Sequence, residues 1–130
     1  MAITNETLPH DGGFLVSEAN GSRSREKVTI LAGSGAVRTL EAGTVLGKIT
    51  ASGKYIAVVE GASDGSETPV AIILNRTVAP DGADIEAAIV ARDAEVNVNE
   101  LIWPGTYDAT NITAGRAALL AVGIVCRDAI

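Results

Sequence analysis

The residues that carry most protein chemistry are nearly missing from this chain. It holds one histidine, His10, and one cysteine, Cys126. A lone cysteine excludes a disulfide within the chain and fits synthesis in a reducing cytosol. Zinc takes three or four His or Cys ligands, so an ordinary zinc site is excluded. A nucleophile activated by histidine needs that histidine held beside a Ser or Cys. His10 instead falls in a polar leader, and Cys126, set between Val125 and Arg127, reads as a buried, inert thiol. Aromatic residues are as scarce: Phe14, Tyr55, Trp103 and Tyr107 make up 3% of the chain. Ala, Val, Ile and Leu must fill the core, and each buries less area than an aromatic ring. With 47% apolar residues, some apolar surface is expected between subunits.

Other absences exclude whole classes. No apolar run approaches the ~20 residues of a membrane-spanning helix. Met1 to His10 has neither a basic region nor an apolar stretch, so no secretory signal is expected. Ten Lys and Arg stand against sixteen Asp and Glu, for a net charge of −6. Binding to phosphates needs clustered cations, whereas the densest basic stretch, Arg23-Ser24-Arg25-Glu26-Lys27, is broken by a carboxylate. Neither nucleic acid nor a membrane is an expected partner.

What is present is β-branched and punctuated by turns. At 130 residues one domain is expected. Residues 1–13 are polar, contain Pro9 and end in Gly12-Gly13; too little apolar material is there to offset ordering entropy, so they read as a flexible arm ahead of a domain over 14–130. Val28 and Ile30 alternate with Lys27 and Thr29, as in a half-buried strand. A second strand over 44–50, with Gly47 marking a bulge or close backbone contact, turns at Ser52-Gly53 into 55–59 to form a hairpin. Residues 70–74 are apolar on both faces and read as a central strand, and 86–92 and 94–98 are expected to be strands. One helix is expected near the C-terminus, capped by Thr113 before Ala114 and ended by Gly123, with 124–127 leaving as a last strand. The expected class is mainly β with one or two short helices.

Few side chains suggest a site. Asp81, Asp84 and Glu86 could meet a hard cation, but their spacing fits no EF-hand loop, and a solvated acidic turn is the plainer reading. Gly33-Ser34-Gly35 lacks the lysine and helix of a phosphate loop. Lys54 at a hairpin tip raises the alternative of a small β carrier or ligand-binding module of the lipoyl or biotin type, although its neighbours Gly53 and Tyr55 are not those of a carrier lysine. A hydrolase using scattered acids is a further alternative and would need a cleft with perturbed carboxylates. No catalytic residue, cofactor or metal is expected.

The order of several short segments resembles the lambda-type phage head decoration family. These are Gly13-Phe14-Leu15-Val16-Ser17, Ser24-Arg25-Glu26, Ala42-Gly43-Thr44-Val45-Leu46-Gly47-Lys48, Gly53-Lys54-Tyr55 and Ile73-Leu74. They continue with Arg92-Asp93-Ala94-Glu95-Val96, Leu101-Ile102-Trp103-Pro104 and Gly123-Ile124-Val125-Cys126-Arg127. The resemblance implies a β-clip-like domain that forms a homotrimer. It implies a structural virion protein on the outer surface of the expanded head, at three-fold and quasi-three-fold sites, that stabilises the shell against DNA pressure. The implied partner is the major capsid protein, reached by an arm that is disordered in the free trimer and ordered on the capsid. Thr4, Thr7, Leu8, Phe14, Leu15 and Val16 are the expected capsid-binding arm residues.

Overall fold

A computed structural model describes residues 11–128. These residues form ten short strands, one 3-10 turn at Val98–Glu100 and one α-helix close to the C-terminal end. Five strands close into a barrel in the order β2 (Arg25–Ile30), β5 (Tyr55–Ala57), β4 (Val45–Lys48), β6 (Ala71–Ile73) and β8 (Ile85–Val90). Against it lies a three-stranded sheet in which β9 (Ala94–Asn97) is central. It is flanked by β1 (Leu15–Glu18), antiparallel, and β10 (Ile124–Arg127), parallel. A separate ribbon pairs β3 (Arg38–Leu40) with β7 (Thr77–Ala79).

The alternation of apolar residues divides the barrel strands between two cores. Leu46, Ala71, Ile73 and Ile89 pack on one side with Ile30, Leu40 and Ala79. Their neighbours Val45, Ile72 and Val90 pack on the other, with Phe14, Val96, Leu119 and Ile124. Successive strand side chains point to opposite faces, so a strand between two apolar cores has to be apolar throughout. That explains the uninterrupted run at 70–74, which is central as expected: β6 pairs with β4 on one side and β8 on the other. The expected hairpin forms as well, with Gly47 opposite Ile56. Gly47 is the close backbone contact its position suggested. A Cβ there would stand 2.3 Å from the Ser66 carbonyl oxygen, so the 64–68 loop can cross β4 only over a glycine.

The helix departs from expectation at its start. It spans Ala109–Ala121 and begins at Asp108, not Thr113. Asp108 accepts the Asn111 N–H at 2.9 Å, and the Asn111 side chain accepts the Asp108 N–H at 3.0 Å. This reciprocal box satisfies two otherwise orphaned donors. Thr113 is one turn inside the helix, where its hydroxyl donates to the Ala109 carbonyl at 2.9 Å. Gly123 ends the helix with φ +89°, donating its N–H to Leu120, as its left-handed preference predicts.

Candidate functional site

The first described residues tie the chain's leader to the body. Arg76 donates its N–H to the Asp11 carboxylate at 3.2 Å. Gly12 donates its N–H to the Leu74 carbonyl at 2.9 Å, and Asn97 donates to the Phe14 carbonyl at 2.8 Å. The root of the leader is therefore set by backbone bonds to two different parts of the body, the end of β6 and the end of β9.

The six arm residues separate at this root. Thr4, Thr7 and Leu8 lie outside the described residues, as does His10. Phe14 is 2% exposed and belongs to the core of its own chain. Leu15 is half-buried against the same core, and Val16 is 50% exposed. Both belong to β1, an outer strand of its sheet. A bulge between Leu15 and Ser17 sets this pairing, and such bulges bend an outer strand and increase its twist.

An open groove of about 570 Å³ runs beside the root. Thr77 and Val78 form one wall, and Ile85, Ala87 and Ala88 with the start of β2 form another. Its rim carries charges that are already paired. Lys27 meets Glu86 at 3.0 Å, Arg76 meets Glu41 at 3.0 Å, and Arg25 meets Glu18 at 2.6 Å. The Arg25 guanidinium holds the Glu18 carboxyl below the usual carboxylate range. Such exposed pairs contribute little stability singly but leave the rim close to neutral.

The chemistry-bearing candidates are separated by the fold. Asp81 accepts the Gly35 N–H, Asp84 accepts the Ala32 N–H, and Glu86 pairs with Lys27. The three acids thus face three different partners and do not converge. Lys54 Nζ lies 2.7 Å from the Asp84 carboxylate, and this contact, with the Ala32 N–H, holds Asp84 below its ordinary range. A carrier lysine must present its amine for acylation; this one is held in an ion pair against the body. Burial pushes the Cys126 thiol up, with Arg116 opposing. The thiolate, which is the nucleophile, is correspondingly disfavoured.

The family model for the bacteriophage lambda head decoration protein D matches residues 4–124. No curated protein matches the chain. That span covers the barrel, the helix and the strands β1 and β9 of the flanking sheet, and ends at the first residue of β10. The chain belongs to the bacteriophage lambda head decoration protein D family, and so to the structural proteins associated with phage capsids.

Proposed function

We propose that this protein is a capsid cement. It forms a homotrimer that binds the outer surface of the expanded head at three-fold and quasi-three-fold sites and stabilises the shell against the pressure of packaged DNA. The observation that carries this reading is the family match, which runs from residue 4 and so takes in most of the leader as well as the body. The working arm is residues 1–10, because Asp11 and Gly12 are bonded to the body. Its Thr4, Thr7 and Leu8 pair with an open strand edge of the major capsid protein. Strand addition draws its affinity from backbone hydrogen bonds, which depend little on side-chain identity. Val16, on an outer strand and half-exposed, is available to extend that contact, while Phe14 anchors the root from inside the core.

The mechanics need no catalysis. A trimer whose arms reach different capsid subunits bridges them, so separating the subunits requires breaking the arms' backbone pairing. Mixing purified protein with bare expanded heads and imaging them by electron microscopy tests this directly. Added density on the three-fold positions is expected. The protein lacking residues 1–10 should remain folded and trimeric and yet leave the heads bare. Full decoration by that shortened protein would refute the arm's role.

A further inference from the structure

We propose that the groove beside the arm's root is a second capsid contact, one that seats an extended, uncharged segment of the capsid subunit beneath it. This rests on the capsid-binding reading above and adds a contact that the arm alone does not supply. Location is the first reason. Arg76 lines the groove and also bonds Asp11, so the leader begins at the groove's lip. If residues 1–10 run onto the shell, the groove is the part of the body that lies next to that junction.

The chemistry of the occupant follows from the walls. Among the described residues β7 is hydrogen-bonded to β3 alone. Among these residues no strand pairs with its other edge, and Thr77 and Val78 of this strand line the groove. An open edge takes an extended backbone. Ile85 is 36% exposed there, with Val78 and Ala87 half-buried, which favours apolar side chains. The rim cations are already matched by carboxylates, and Glu26 by Arg92 at 2.7 Å. A charged occupant would have to displace one of those pairs; a neutral one displaces none.

The test uses the full chain carrying Ile85→Glu or Ile85→Ala, with Val37→Glu and Leu120→Glu as controls. The control residues are each 59% exposed and line no part of the groove. Deletion of residues 1–10 runs in parallel. Each protein is checked for thermal melting and assembly size, then titrated onto bare expanded heads and pelleted. Ile85→Glu should melt and assemble as the parent does, while its half-saturation on heads weakens by roughly tenfold or more. Ile85→Ala should weaken it by about threefold or more and decides the matter alone if the Glu variant fails to fold. The controls should bind as the parent. Parental head binding by the Ile85 variants would overturn the groove contact, as would an equal loss in either control. Loss of binding on deletion with intact binding by both Ile85 variants would keep the arm and remove the groove. The opposite pattern would remove the arm and keep the groove.

Discussion

Gly115 occupies a helix position where alanine would ordinarily be preferred. Exchanging a mid-helix glycine for alanine stabilises a helix by about 0.8–1 kcal/mol. Here, however, a Cβ would stand 2.5 Å from Trp103 Cζ3 and 3.0 Å from Cη2. The indole cannot simply retreat, because it stacks on Tyr107 at a centroid distance of 5.8 Å. Overpacking of this kind costs about 1–3 kcal/mol, which exceeds the propensity gain. Gly115→Ala should therefore lower stability by about 1 kcal/mol and shift Trp103 fluorescence as the ring is displaced. An unchanged or raised melting temperature would show that the ring yields freely. Trp103 Nε1 is buried without an acceptor among the described residues, and movement that exposes it to water would soften the penalty. At this scale the sequence is informative about chemistry that needs rare residues and silent about contact. The scarcity of His and Cys is visible by counting. That Gly115 meets Trp103, or that Lys54 meets Asp84 across 30 positions, depends on how distant segments are brought together.

Elements are legible where their period is sustained or where they lie between two cores. Lys27-Val28-Thr29-Ile30 shows the alternation of a strand with one buried face, and residues 70–74 show the unbroken run of a strand buried on both. The strands β1, β3 and β7 carry no such signal. They are three or four residues long, and Arg38-Thr39-Leu40 has too few positions to establish a period. Phe14-Leu15-Val16 reads as partly apolar arm material, yet a sequence cannot say whether an apolar residue covers its own subunit or another. Phe14 covers its own. The helix start was recoverable from the reciprocal spacing of Asp108 and Asn111, a pattern in which Asn takes the place of the more familiar Glu or Gln. Thr113 directly precedes the alanine-rich stretch and so mimics a cap in the sequence. The two starts predict different mutants. Asp108→Ala should cost about 1 kcal/mol in a denaturant melt, and Asp108→Asn much less, because Asn is an equally good cap. Thr113→Ala should be close to neutral, since its hydroxyl bonds a carbonyl within the helix and satisfies no orphan donor. A larger loss for Thr113→Ala than for Asp108→Ala would return the cap to Thr113.

For the whole molecule, the proposed cement role reconciles weak single contacts with firm decoration by number. In the proposed arm mechanism, ordering residues 1–10 on the shell costs about 1–2 kcal/mol each. Against this stand backbone hydrogen bonds worth about 0.5–1.5 kcal/mol apiece and the burial of a few apolar side chains such as Leu8. These terms nearly cancel, so one arm should hold its subunit to the shell only weakly. Once the first arm of the proposed trimer is seated, the others search a small volume, and linked binding can exceed single-site affinity by ~10²–10⁴-fold without any new type of contact. Co-expressing tagged full-length subunits with untagged subunits lacking residues 1–10, and separating the trimers by tag number, gives particles with one, two or three arms and identical bodies. Affinity for bare heads should climb steeply with each arm, and the increase should appear mainly as slower release, because affinity differences among related complexes reside mostly in dissociation. If one-armed trimers stayed on heads as long as three-armed ones, the bodies would be making the decisive contact. The groove at Ile85 would then be the first place to look for it.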